Sequence, residues 1–260
     1  MTDRKMWKSG LSIGQLSEAA LERAAAAGLD LVEIGGIDDV ANWEKVPEWE
    51  KKTGVKVWSF HLPFRWWGDR WADPTATDPE RWQQTLDWDV PLIEGCGKAG
   101  IKHIVIHPSR EPFKDEERET YMQVAIEHLT ILSDICKKNG CILCLEDLPR
   151  TCLGRDGDEM LRFIEAIPDA RVCFDVNHLL RDTHVDFVKK VGKYIVTTHI
   201  SDYDFIDEKH WFPLQGEINW RELQSALELA DYKGPFLYET MPMGFTWADV
   251  KKNHNMLKNL

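Results

Sequence analysis

The sequence predicts an α/β protein, a single (β/α)8 TIM barrel spanning residues 1–260. Three observations carry this: eight short apolar, β-branched runs, helical patterns between them, and a length of 260 residues, close to the roughly 250 typical of that barrel. An open doubly wound sheet fits less well. Such sheets have fewer strands and a glycine-rich phosphate turn after the first, whereas Gly14-Gln15-Leu16-Ser17 contains no GxGxxG.

The strands are expected at Lys8 to Ile13, Leu29 to Ile34, Val55 to His61, Ile101 to His107, Cys141 to Glu146, Arg171 to Asp175, Tyr194 to Ile200 and Phe236 to Thr240. Helical segments between them include Ser17 to Ala27, with Ser17 as N-cap, Pro79 to Lys98, Glu116 to Asn139, Asp158 to Ala166 and Trp220 to Ala230. Gly28, Gly100, Gly140 and Gly234 stand between helix and strand, where a left-handed cap is wanted.

With 43% hydrophobic and 29% charged residues the chain is of ordinary globular composition. The balance of 44 Asp+Glu against 32 Lys+Arg, a net charge of -12, argues against nucleic acid as partner, because that binding neutralises phosphates. No apolar run approaches a signal-peptide core or a membrane span, so the expectation is a cytoplasmic protein without a membrane partner; a homo-oligomer is left open. Six cysteines are too few for a disulfide scaffold. Cys141-x-x-Cys144 lacks the second ligand pair of a zinc site and reads as buried thiols.

Barrel chemistry sits at the carboxyl ends of the strands. From the second strand onward those ends are Glu33, His61, His107, Glu146, Asp175, His199 and Glu239. The apolar run before each fixes its position independently of its chemistry, and scattered polar residues would place His, Asp or Glu at only two or three ends. Closure of the barrel brings the ends to one cavity. Singly, His61 and His107 are equally well read as hydrogen-bonded rim histidines, and Glu33 as the partner of a basic neighbour. Glu146, Asp175 and Glu239 focused together would repel one another unless a cation neutralised them. With one imidazole added, the set suits Mn2+ best, by its oxygen majority, with Mg2+, Co2+ or Zn2+ as alternatives.

Val32-Glu33-Ile34-Gly35-Gly36, Leu145-Glu146-Asp147, Asp175-Val176-Asn177-His178, His199-Ile200-Ser201-Asp202 and Tyr238-Glu239-Thr240 together resemble the xylose isomerase-like TIM barrel superfamily of sugar isomerases, epimerases and abasic-site endonucleases, over the whole chain. The resemblance implies that Glu146, Asp175, His199 and Glu239 hold the metal and that His178 contacts substrate or a further metal. It also implies proton abstraction beside the carbonyl of a small sugar or keto-sugar through a metal-stabilised enediolate, with Glu146 and Glu239 as the acid/base pair. One departure matters: ketose 3-epimerases of the superfamily carry a substrate-binding Arg where this chain has Phe205. A lyase or dehydratase acting on a keto-sugar or keto-glycoside would use the same metal site.

Eight of the 12 tryptophans lie between positions 43 and 88. The segment from Trp58 to Trp71 is expected to wall the cavity, with Trp66 against sugar C–H surfaces and Arg65 or Arg70 on a carboxylate or phosphate; a packed cap or subunit interface is the plainer reading. Asp202, Glu208, His210 and Trp211 are expected on the opposite side, and Glu33 is expected to bond a sugar hydroxyl. Two further readings remain. His61, His107 and Glu146, with His178, Glu208 and His210, would add two metals and give an endonuclease-like phosphodiesterase; a non-catalytic sugar-binding barrel is the other.

Overall fold

The computed structural model describes residues 7–35, 42–64, 70–111, 113–240 and 244–260. Eight parallel strands close a barrel in sequence order: β1 (Ser9–Ile13), β2 (Leu31–Gly35), β3 (Lys56–His61), β4 (His103–Ile106), β5 (Ile142–Glu146), β6 (Arg171–Asp175), β7 (Ile195–Ile200) and β8 (Phe236–Tyr238). The last pairs back onto the first, Ser9 against Phe236. Between and after them run α1 (Glu18–Ala26), α2 (Val46–Thr53), α3 (Pro79–Ala99), α4 (Arg118–Lys138), α5 (Gly157–Ala166), α6 (His184–Val191), α7 (Trp220–Leu229) and α8 (Trp247–Lys258). Parallel strands need such crossovers, and the crossovers leave every carboxyl end on one rim. Among the described residues no helix is long and apolar enough to cross a membrane.

Local chemistry explains the helix ends. Ser17 accepts from the Ala20 amide at 3.1 Å to cap α1, Asp78 caps α3, and Thr246 with Asp249 forms a capping box on α8. Gly28, Gly100 and Gly140 are left-handed at φ 76°, 79° and 71°, as their positions demand. Gly234 differs: it is needed for close approach, since a Cβ there would meet the Val196 carbonyl oxygen at 2.2 Å.

The two-residue period of the strands sends alternate side chains to opposite sides. Leu143 and Leu145 of β5, and Val172 and Phe174 of β6, join the large core between barrel and helices. Val105, Cys144 and Cys173 form a separate small apolar cluster inside the barrel. His107, Glu146 and Asp175 follow two residues later on the same side, so the apolar cluster forms the floor beneath them. All six cysteines are free and buried, and burial pushes the Cys144 and Cys173 thiols up, keeping them neutral. Most strands begin one or two residues later than their apolar runs, and two also stop short at the carboxyl end: His107 and Glu239 each lie one residue beyond β4 and β8. The Glu239 amide still donates to the Ile200 carbonyl at 3.1 Å, which keeps the side chain on the barrel axis side of the rim.

Candidate functional site

The barrel converges Glu146, Asp175, His199 and Glu239 so that one ligand atom from each lies within 4.8 Å of the others. His199 Nδ1 is 3.0 Å from Glu146 Oε1, 3.1 Å from Glu239 Oε2 and 3.9 Å from Asp175 Oδ2. Asp175 Oδ1 accepts the Asn177 amide at 2.7 Å, while its buried Oδ2 has no hydrogen-bond partner. A buried carboxylate oxygen that makes no hydrogen bond, stands 3.5 Å from His178 Nε2 and lies among two further carboxylates is costly unless a cation completes it. These residues therefore fit a divalent metal by spacing, burial and donor chemistry.

Two further groups adjoin this one. His61, His107 and Glu146 offer ligand atoms within 4.8 Å of one another, as do His178, Glu208 and His210. His61 Nε2 lies 2.9 Å and His107 Nε2 3.2 Å from Glu146 Oε2, so Glu146 belongs to two groups at once. Cys173 also approaches Glu146 and His199; its inward position follows from the strand period, but the sequence does not mark it, because a buried thiol on a strand is ordinary core.

Electrostatics among the protein groups follow from these contacts. Burial alone would push Glu146 up, but the charges of His199 and His107 and their hydrogen bonds hold it well below the usual carboxylate range. Burial pulls His61 down, yet the hydrogen bond and charge of Glu146 hold it at about 9. For His107, at the longer distance, burial wins and the ring is shifted down. Asp175 is pushed up to about 6 by burial, against the charge of His178. His178 itself is raised, because Asp175 and Glu208 outweigh its burial. Glu208 is held at about 2, first by its hydrogen bond to His178.

A cavity of about 420 Å³ opens above the site, with Glu146, Glu239, His107, His178, Glu208 and His210 on its wall. Phe64 and Trp71 line it too, Phe64 stacking on His107 at 4.1 Å between ring centroids. Arg65 and Trp66 lie outside the described residues. His61 is buried beneath the wall with its Nδ1 on the Leu62 carbonyl at 2.8 Å. Glu33 departs from its expected place at a sugar hydroxyl. It is fully buried, accepting from Ser59 Oγ at 2.7 Å and facing His199 Nε2 at 2.9 Å, because β2 carries it below the rim. Asp202 also departs from the cavity wall: it accepts from the amides of Tyr203, Leu214 and Ile218 and from Trp220 Nε1, and so organises the loop after β7.

Three residues not singled out from the sequence support the site, Arg150 on the cavity wall and Asn177 and Asp147 buried behind it. Arg150, at φ 52°, bonds Glu111, Asp207 and Glu208, joining the loops after β4, β5 and β7. Its charge faces the cavity from the β5 side, while Phe205 packs against Tyr203 at 4.6 Å over a separate groove. Asn177 Oδ1 accepts the Lys209 amide at 3.0 Å, and Asp147 Oδ1 accepts the Asp175 amide at 2.8 Å. Their signal is adjacency to ligands within Glu146-Asp147 and Asp175-Val176-Asn177-His178.

The family model described as xylose isomerase-like TIM barrel matches residues 21–260. An uncharacterized protein of Methanocaldococcus jannaschii is 26% identical over 162 residues, covering 62% of this chain and 67% of that protein. Among solved structures, a D-tagatose 3-epimerase-like protein superposes with a TM-score of 0.83 at 22% identity, covering 97% of this chain and 96% of that one. The E. coli 3-keto-D-glucoside 4-epimerase gives 0.78 at 20% identity, over 98% and 100%. The IOLI protein with a bound zinc atom gives 0.79 at 17% identity, over 96% of each chain. At these identities the structural likeness is one of fold.

Proposed function

Because the chain belongs to the xylose isomerase-like TIM barrel family, we propose that it is a divalent-metal-dependent sugar isomerase or epimerase that moves a proton at the carbon beside a carbonyl. The observation that carries this reading is the convergence of Glu146, Asp175, His199 and Glu239 around the bare Asp175 Oδ2. The oxygen majority favours Mn2+, with Mg2+, Co2+ or Zn2+ as alternatives. When bound there, such a cation polarises a hydroxy-carbonyl group and carries the negative charge that develops on its oxygens. Proton transfer falls to the chain's own groups: Glu239 and Glu146 share the cavity wall and take and return the proton. His107, His178 and His210 present polar edges to sugar hydroxyls, and the Phe64 and Trp71 rings present apolar surface to the C–H face. The names of the 3-keto-D-glucoside 4-epimerase and the D-tagatose 3-epimerase-like protein support a small sugar or keto-sugar as substrate.

The test is metal content of the purified protein and of a Glu146→Gln/Glu239→Gln double variant after mild dialysis, with solvent deuterium uptake into a panel of ketoses and keto-sugars. About one equivalent of metal, lost in the variant, with deuterium uptake by the wild type, is expected. No metal under any loading condition refutes the reading. The two additional ligand groups favour one second reading, phosphodiester hydrolysis by three metals. Two or three equivalents of zinc together with hydrolysis of bis-p-nitrophenyl phosphate would establish it instead.

A further inference from the structure

Resting on that reading, we propose that Glu33 is a positioning residue, which holds the proton of His199 on Nε2 so that the Nδ1 lone pair is turned to the metal. His199 is fully buried, and its two ring nitrogens face different partners. Nδ1 faces the three carboxylates of the tetrad. Nε2 faces Glu33 Oε1 at 2.9 Å, and among the described residues these two buried atoms have no hydrogen-bond partner and stand unsatisfied side by side, whereas Nδ1 bonds Glu146 Oε1 at 3.0 Å. A small turn of the ring toward Glu33 would satisfy both. A neutral imidazole carries one N–H and one lone pair, so whichever nitrogen finds an acceptor decides which is free to ligate. Glu33 is that acceptor on the side away from the metal, and its charge adds to the basicity of Nδ1.

Glu33 is itself held. Its other oxygen takes the Ser59 hydroxyl at 2.7 Å, and the register puts Glu33 of β2 opposite Ser59 of β3. That pairing follows a register shift at Val32/Glu33, across which Trp58 is passed over. A bulge of this kind re-aims the side chains beside it, and here the result is a Ser59–Glu33–His199 chain running from the barrel wall to the tetrad. Glu33 is fully buried and does not line the cavity above the site, so its effect on substrate passes through His199 and the metal.

The experiment measures Mn2+ affinity of metal-stripped protein by competition with a fluorescent chelator, for the wild type, Glu33→Gln and Ser59→Ala. Glutamine keeps the size but loses the charge and can turn an N–H toward Nε2. The expected result is Mn2+ binding weakened by about 10–100-fold in Glu33→Gln, and less in Ser59→Ala. In Zn2+-loaded, 15N-histidine-labelled protein the wild type shows the His199 proton on Nε2, and Glu33→Gln loses that single tautomer. Wild-type affinity in a folded Glu33→Gln overturns the positioning role and leaves the metal reading standing. Failure of the wild type to take up Mn2+ or Zn2+ overturns both. Should Glu33→Gln not fold, Ser59→Ala decides: unchanged affinity with an unchanged His199 spectrum overturns the proposal.

Discussion

Replacing Glu146 with Gln in the metal-free protein isolates what keeps the buried histidines charged. The Glu146 carboxylate lies 2.9 Å from His61 Nε2, 3.0 Å from His199 Nδ1 and 3.2 Å from His107 Nε2. Burial works against a charged His61, yet Glu146 raises it from 6.5 to about 9, with a smaller share from Glu33. At 1.36 kcal/mol per pH unit that rise is worth about 3 kcal/mol; it is net of the burial penalty, so without Glu146 burial outweighs the smaller Glu33 share and the whole amount is lost. A raised folded-state pKa stabilises fully below the unfolded value of about 6.5, and the stabilisation is lost as pH climbs through 9. His178 and His199 shift in the same direction and steepen the loss. Urea unfolding of chelator-treated protein should therefore find Glu146→Gln about 2–3 kcal/mol less stable than wild type at pH 6. By pH 10 the His61 share of the gap should be gone, because that ring is then neutral with or without Glu146. A gap that stays constant from pH 6 to 10 would show that Glu146 contributes packing alone.

Glu239→Gln at saturating Mn2+ should lower the rate of solvent deuterium uptake into substrate by about 10²–10⁴-fold, the usual share of a positioned acid or base; a loss under threefold removes it from that role. Arg118 is buried and bonds Glu159 at 2.6 and 2.7 Å and the Cys152 carbonyl at 2.9 Å. Arg118→Met should cost about 3 kcal/mol and roughly 6–12 °C in calorimetric melting, and a shift under 2 °C would show that the loop after β5 stands without it. Gly234→Ala drives a Cβ onto the Val196 carbonyl and should destabilise by about 1–3 kcal/mol in denaturant titration, whereas a neutral result would mean that the β7–β8 neighbourhood relaxes freely.

Depth, rather than residue type, separates the three carboxylates. Glu146 and Asp175 end β5 and β6 and are almost fully buried, while Glu239 lies just past β8 with about a third of its side chain exposed. The same rim gives a buried acid held by three imidazoles and an accessible one facing the cavity. The Arg150 bridge to Glu111, Asp207 and Glu208 closes the wall between the β4, β5 and β7 loops. Glu208 reaches His178 at 3.3 Å from within that bridge, so the position of this loop acid depends on residues from three connections.

The eight strands, their order and the His, Asp or Glu residues gathered at their carboxyl ends were legible in the sequence, because apolar runs terminating in such residues are local patterns that the backbone period converts into direction. The helices with dense apolar stripes and polar caps were legible for the same reason. Tertiary structure alone decided which ligand atoms meet. Glu33 and Glu239 both read as strand-end acids, but Glu33 lies in the middle of β2 beside a register shift and Glu239 lies just past the short β8, which places one behind His199 and the other on the cavity. Asp202, next to a ligand-bearing strand, was drawn into the amides of its own loop, since unpaired buried N–H groups cost more than an exposed carboxylate gains. Such choices depend on distances between residues far apart along the chain, such as His61 to Glu146 and Glu33 to His199, and no local pattern records them.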